Sequence, residues 1–313
     1  MNHVLNAAQF DQKQLLEILK QAQEMEKILA KGTSDLAQGK ILATFFYEPS
    51  TRTRLSFETA MHRLGGKVIS TPDAAVSSVR KGETVEDTTR ILSGYADVIA
   101  MRSKDVGYAE RAAKVSSVPI LNAGDGPGEH PTQSLLDLFT ISKYFDIQKP
   151  LTVTFVGDLK YGRTVHSLET ILRNFPHIQM HFVAPEVLQI PEKHFQASAG
   201  DQKHTELQND ILQTSDVVYA TRVQEERFED RDEYLRLRDS FIFDREKVSM
   251  MKSNALLLHP LPRVNEITSE VDSLPQAKYF EQARNGVPLR MALIARALNL
   301  GLWILFNLKT LSS

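Results

Sequence analysis

The sequence predicts an α/β protein of two three-layer domains, each with a mainly parallel sheet flanked by helices. Three observations lead there. A length of 313 residues, at ~150 residues per domain, gives a prior of two domains. Short apolar runs of strand length alternate with helically spaced segments along the whole chain, the pattern of parallel sheets. A basic residue or a histidine also follows one strand-like run after another, at the sheet edge where open α/β folds bind ligands.

In chain order, Leu15, Ile18, Leu19, Ala22, Met25 and Leu29 keep helical spacing over residues 11–31, and Gly32 stops the helix. Ile41–Phe46 reads as a strand, followed by the turn Tyr47-Glu48-Pro49-Ser50. The next helix carries Phe57, Ala60, Met61 and Leu64 on one face and ends at Gly65-Gly66. A strand at 97–101 runs into Arg102, and one at 118–121 into a glycine-rich loop and His130. A helix over about 132–144 is the candidate connector to the second domain. Leu151–Val156 is a strand leading through Gly157 to Arg163, with Val165, Leu168, Leu172 and Phe175 on the helix behind. Runs at 180–184, 216–220 and 255–258 are further strands, the last two leading to Arg222 and to His259 and Arg263. A final apolar helix over about 289–308 is expected to pack back on the first domain. The boundaries are then 1–135 plus about 288–313, and 136–287.

Residues 224–247 differ in texture: fifteen of 24 are charged, with both signs interleaved. Such a run is either a solvated helix and loop or a mobile loop near a site.

Composition removes several classes. Without cysteine there is no disulfide framework, thiolate nucleophile or cysteine-ligated zinc. With 37 basic against 39 acidic residues, no broad nucleic-acid footprint is expected. The first twenty residues lack a basic segment followed by an apolar one, so they do not read as a signal peptide. The most apolar stretch, residues 297–306, falls short of the ~20 residues that span a bilayer. A cytoplasmic enzyme or binding protein is expected, with neither nucleic acid nor membrane as partner.

The sharpest local signal is Ser50-Thr51-Arg52-Thr53-Arg54 at a helix start. Two arginines there oppose the positive end of the helix dipole, at roughly 0.3–1 kcal/mol each. The arrangement makes sense if an anion sits on the helix N-terminus, held by N–H groups, hydroxyls and guanidinium. The competing reading is an exposed helix start whose arginines reach solvent or Glu48. Neither a Walker-type loop nor a G-x-G-x-x-G fingerprint occurs, which disfavours nucleotide cofactors. No His/Asp/Glu cluster has metal-ligand spacing, so no metal is expected. His130 and Gln133 are three apart and can face one ligand. His259-Pro260-Leu261-Pro262-Arg263 is a stiff turn that either presents carbonyls to a ligand or merely connects two elements.

The residues from Phe46 to Thr53 (FYEPSTRT) resemble the carbamoyl-phosphate signature of the aspartate/ornithine carbamoyltransferases. His130-Pro131-Thr132-Gln133 resembles their H-P-x-Q segment. Residues 157–166 (GDLKYGRTVH), Thr221-Arg222-Val223-Gln224 and the 259–263 turn look like the aspartate branch of that family. The ornithine branch would be expected to carry a cysteine in the H-x-L-P turn, where this chain has Pro260. The resemblance runs in order from about residue 41 to 290.

It implies transfer of the carbamoyl group of carbamoyl phosphate to the amino group of L-aspartate, an early step of de novo pyrimidine biosynthesis, with no cofactor. Ser50, Thr51, Arg52 and Thr53, with Arg102, would hold the phosphate. His130, Gln133 and the Leu261 and Pro262 carbonyls would contact the carbamoyl group. Arg163, Arg222 and Gln224 would hold the aspartate carboxylates. A lid at 77–81 would bring Ser77 and Lys81 from a neighbouring subunit, so a homotrimer with shared sites is implied, with regulatory chains as candidate partners. The catalytic set is then Arg52, Thr53, Arg102, His130 and Lys81. The first domain would bind carbamoyl phosphate and the second aspartate, with residues 224–247 as a loop that moves on closure. Carbamoyl transfer to another amino acid, or a non-catalytic phosphate-ligand binding paralogue, are the alternatives.

Overall fold

The computed structural model describes residues 2–71, 81–197, 200–225, 228 and 230–301. The chain divides into two compact units: residues up to 135 together with those from 285 onward, and residues 136–284.

The first unit holds α1 (Gln12–Ala30), β1 (Ile41–Phe46), α2 (Thr51–Arg63), β2 (Lys67–Thr71), α3 (Val85–Ser93), β3 (Val98–Ser103), α4 (Tyr108–Val115) and β4 (Ile120–Asp125). Its four strands are all parallel, in the order β2-β1-β3-β4. The helix α1 starts where its sequence places a capping box. Asp11 accepts from the Gln14 N–H at 2.7 Å, and the Gln14 side chain accepts from the Asp11 N–H at 3.1 Å. Its buried face is Leu15, Ile18, Leu19, Ala22 and Met25, as the spacing predicts. Five of the six β1 residues are buried, as expected for a central strand covered on both faces.

The helix α5 (Pro131–Ser142) leads into the second unit, which contains β5 (Leu151–Val156), α6 (Arg163–Leu172), β6 (Ile178–Val183), β7 (Gln202–His204), α7 (Asn209–Thr214), β8 (Val217–Ala220), α8 (Arg231–Leu237), α9 (Arg245–Ser249) and β9 (Leu256–Leu258). This sheet is also wholly parallel, in the order β7-β6-β5-β8-β9. Its centre is aromatic: Phe155 stacks on Phe182 with centroids 5.5 Å apart and meets Tyr219 edge-on at 5.7 Å. The last described helix, α10 (Tyr279–Ala297), brings the chain back to the first unit. There Arg290 lies over the Phe57 ring of α2 at 4.9 Å. Asn2 donates to the Arg296 carbonyl at 3.0 Å and to Asn299 at 2.9 Å. Among the described residues no helix is long and apolar enough to cross a membrane.

Several expectations need correction. The strands β2 and β7 are not marked by an apolar run because each is a sheet edge with no fully buried residue. The run read at 118–121 forms β4 only from Ile120, because Pro119 lacks an N–H for the ladder. The final helix begins ten residues earlier than expected, taking Pro288 into its interior, and ends at Ala297. Asn299 there adopts a left-handed conformation (φ 53°), and the Leu300 N–H reaches back to the Ala295 carbonyl at 2.9 Å, closing the helix. The part of that expectation beyond residue 301 lies outside the described residues. The charged stretch resolves into α8, α9 and their flanks, with Phe243 as its buried anchor.

Replacing Phe155 by Ala removes the centre of the aromatic stack. The expected cost is about 3–5 kcal/mol, read as a lowered urea midpoint for the second unit.

Candidate active site

Both sheets are parallel, so all strand-end loops of a unit lie along one edge of its sheet. In the first unit the turn after β1 delivers Ser50 to the N-cap of α2. No acidic residue stands in the first turn of α2, so its N–H groups face outward with the positive end of the dipole uncompensated by its own sequence. Arg52 and Thr51 are exposed there, while Thr53 is buried. Arg54 turns away: its Nε lies 4.0 Å from Glu58, one turn along. Only Arg52 of the pair remains for an anion at the helix start.

Arg102, in β3, donates through Nε to Glu48 at 3.1 Å and through Nη1 to the Ala123 carbonyl at 3.4 Å. His130 is 4% exposed and directly precedes α5. Gly124 lies between them at φ +119°; a Cβ there would sit 3.3 Å from Arg102 Nη1 and 3.4 Å from His130 Cδ2. A side chain at 124 would thus compete for the space in which guanidinium and imidazole converge. Gln133 follows in the first turn of α5, its N–H on the His130 carbonyl at 3.0 Å. The buried Asp125 holds this edge together, accepting from the Gly107 N–H at 3.0 Å and the Glu129 N–H at 2.6 Å. Lys81 is exposed ahead of α3. Ser77 lies outside the described residues.

In the second unit Arg163 opens α6 and Arg222 follows β8. Asp158 joins their loops. It is fully buried, and its carboxylate accepts from the Tyr161 N–H at 3.0 Å and the Gln224 N–H at 3.4 Å. Burial pushes the Asp158 carboxyl above the usual carboxylate range; the backbone donors and Arg222 oppose that shift. Gly157 (φ +121°) permits the close approach, since a Cβ there would meet the Thr221 carbonyl oxygen at 2.2 Å. Leu261 and Pro262 lie in the turn after β9, half-buried and exposed respectively.

The structure therefore places Ser50, Thr51, Arg52 and Thr53 on one helix start, converges Arg102 and His130 at Gly124 with Gln133 one turn on, and joins the loops of Arg163 and Arg222 through Asp158. Sequence reasoning missed Asp125 and Asp158. Both stand beside glycine at or just past a strand end, which is the signal available for them. Chemically, the first unit offers N–H, hydroxyl, guanidinium and imidazole groups suited to a phosphate and a polarised carbonyl. The second offers two guanidinium groups in a fixed frame, suited to carboxylates.

Comparison with known proteins identifies the family. The carbamoyl-P binding domain of the aspartate/ornithine carbamoyltransferases matches residues 2–143, and their Asp/Orn binding domain matches residues 149–297. The chain belongs to the aspartate/ornithine carbamoyltransferase family. Within that family it is 48% identical over 300 residues to the aspartate carbamoyltransferase catalytic subunit of Methanocaldococcus jannaschii, covering 95% of this chain and 97% of that protein. The corresponding subunit of Thermoplasma acidophilum is 48% identical over 299 residues, covering 94% and 97%. A crystal structure of the M. jannaschii catalytic subunit superposes with a TM-score of 0.89 at 47% identity, over 96% of this chain and 98% of that one. The Trypanosoma cruzi aspartate transcarbamoylase in complex with carbamoyl phosphate and aspartate gives 0.87 at 39% identity, over 94% and 95%.

Behind Arg163, on α6, His166 donates from Nε2 to the Leu159 carbonyl at 2.8 Å and stacks on His194 at 4.4 Å. Burial, followed by the neighbouring His194, pushes its imidazole down to about 4 from an ordinary 6.5. A carbonyl partner requires the proton on Nε2. Between these two values the unfolded chain binds the extra proton and the folded chain does not. The stabilisation from neutral His166 is thus complete above 6.5 and is lost as pH falls towards 4. Urea midpoints across this window should fall less steeply for His166→Gln, whose amide can still donate to Leu159, than for the unaltered protein.

Proposed function

We propose that this chain catalyses transfer of the carbamoyl group of carbamoyl phosphate to the α-amino group of L-aspartate, giving N-carbamoyl-L-aspartate and phosphate. The observation that carries the reading is near end-to-end similarity, at 48% identity, to catalytic subunits of aspartate carbamoyltransferase. A T. cruzi relative has moreover been crystallised with carbamoyl aspartate and phosphate, a product pair of this reaction. The absence of cysteine and the Pro260 turn support aspartate over ornithine as acceptor. The same reaction places the enzyme early in pyrimidine biosynthesis.

The roles follow from residue chemistry. Ser50, Thr51, Arg52 and Thr53 at the α2 start, with Arg102, bind the phosphate. His130 and Gln133 contact the carbamoyl group, as do the Leu261 and Pro262 carbonyls, acceptors suited to its amino protons. Arg163, Arg222 and Gln224 bind the two carboxylates of aspartate and aim its amine. The neutral amine attacks the carbamoyl carbon, a C–N bond forms, and negative charge grows on the carbonyl oxygen. Arg52, Thr53, Arg102 and His130 stabilise that charge as an oxyanion hole does. The C–O bond to phosphate then breaks, and the departing phosphate accepts the amine proton. Rate enhancement comes from orientation and electrostatics rather than a protein nucleophile. The first unit is the carbamoyl-phosphate-binding domain and the second the aspartate-binding domain. The working assembly is a cytoplasmic homotrimer in which Lys81 serves a neighbouring subunit's site. The relatives' designation as catalytic subunits makes regulatory chains the candidate partners.

Purified protein given both substrates should release phosphate and form N-carbamoyl-aspartate; turnover of L-ornithine in place of aspartate would overturn the acceptor assignment. Arg52→Ala should lower kcat by about 10²–10³-fold, the scale of losing an oxyanion donor. Arg163→Ala should instead act mainly on the KM for aspartate. Mixing Arg52→Ala with Lys81→Ala chains should restore part of the activity if sites are shared. Sedimentation of the native complex reads the trimer directly.

A further inference from the structure

The turn after β9 contains a buried network that the reaction scheme does not yet use. His259 is 2% exposed and Glu266 is 4% exposed. The Leu261 N–H donates to His259 Nδ1 at 2.8 Å, and His259 Nε2 lies 2.8 Å from Glu266 Oε1. The Glu266 carboxylate also accepts from the Val264 and Asn265 N–H groups, each at 3.1 Å. The His259 N–H donates to Gln282 at 2.8 Å, Gln282 to Asp137 at 2.7 Å, and the Tyr219 hydroxyl to Asp137 at 2.8 Å. The turn is thereby moored to the aromatic centre of its own sheet.

These contacts dictate a proton arrangement. Nδ1 accepts a backbone N–H, so it carries no proton. The ring proton is therefore on Nε2, which faces ionised Glu266 at ion-pair distance but out of line for a hydrogen bond. Burial lowers the His259 pKa against the opposing pull of Glu266, and contact with His259 helps hold Glu266 ionised. Pro260 and Pro262 have no N–H, and the His259 and Leu261 donors are already engaged. Among the described residues no donor reaches the Leu261 or Pro262 carbonyl. Leu261 adopts a left-handed φ of 56°, rarely taken by a non-glycine residue, with its N–H held on His259. At Pro260 to Pro262 the turn presents carbonyl acceptors only, with the Leu261 N–H held by one imidazole.

We propose that His259 and Glu266 are a positioning pair that aims the Leu261 and Pro262 carbonyls at the carbamoyl amino group and so selects a carbamoyl over an acetyl donor. The inference rests on the carbamoyl-phosphate reading of the site. Acetyl phosphate has the same shape but carries a methyl in place of the amino group. Rigid carbonyl acceptors reward the amino group and are left unsatisfied against the methyl.

The test compares His259→Asn with His259→Gln. Asn places its Oδ1 where Nδ1 stood and can still accept the Leu261 N–H. Gln reaches towards Glu266 but leaves Leu261 without its acceptor. The readouts are kcat/KM for carbamoyl phosphate, the inhibition constant of acetyl phosphate and the KM for aspartate. For His259→Gln, kcat/KM should fall about 10–100-fold, the range seen when a supporting partner is removed. Acetyl phosphate inhibition and the aspartate KM should move less than about threefold. His259→Asn, which keeps the Leu261 acceptor but loses the Glu266 partner, should fall by an intermediate amount, at least about threefold less than His259→Gln. A parallel loss for both donors would mean that the imidazole only fills space, and better retention by Gln than by Asn would mean that Nδ1 does not aim the turn; either would overturn the proposal. Selective 15N-histidine NMR of the unaltered protein supplies an arm that needs neither variant nor activity. His259 should show an unprotonated Nδ1 and a protonated Nε2 at neutral pH; the opposite tautomer or an imidazolium rules the pair out. Absence of carbamoyl transfer by the unaltered protein would instead count against the function, leaving the tautomer result to judge the pair.

Discussion

Each unit depends on a buried carboxylate standing at or just past the end of a parallel strand. Asp125 and Asp158 each take one backbone N–H on either oxygen, from two different loops. Loops beyond strand ends have N–H groups that no ladder can satisfy, and leaving them buried and unpaired costs about 1–3 kcal/mol each. One carboxylate settles two of them and ties adjacent loops together. Charged hydrogen bonds of this kind are stronger than neutral ones. Glu266 repeats the device in the turn after β9. The frame around the strand-end loops is therefore acidic and inward.

This arrangement explains how a chain of nearly balanced charge can serve two anionic substrates. Positive groups collect at strand ends, while carboxylates at the same edges are spent on backbone N–H groups rather than on neutralising every arginine. Where a guanidinium does meet a carboxylate nearby, as with Arg102 and Glu48, the pair keeps an oriented side chain beside His130. Arg54 and Glu58 show the contrasting case, in which a helix neighbour removes a cation from the anion's reach.

The sequence exposed the parts of the fold that bury a continuous apolar surface. The buried face of α1 and the bounds of β1 and β5 could be read from spacing and apolar runs alone, because tertiary packing and local pattern agree there. The edge strands β2 and β7 carry little apolar weight and were invisible for that reason. At the candidate site, the arginines and histidines stood out because they recur after one strand after another. Their supports did not. Asp158 and Gln224 are far apart in sequence, and the proton arrangement of His259 depends on Glu266 seven residues on. Spacing rules reach along one helix or one strand and do not register partners that meet only once the loops have folded.

The return of α10 to the first unit has a consequence for the order in which the molecule is made. The first unit is stitched between Asn2 and the residues Arg296 and Asn299 at the close of α10, and it needs residues from 285 onward. Residues 136–284 leave the ribosome before those do. The unit that begins the chain is thus the last to have all its residues available, and during synthesis it must wait, incomplete, while the second unit is already whole.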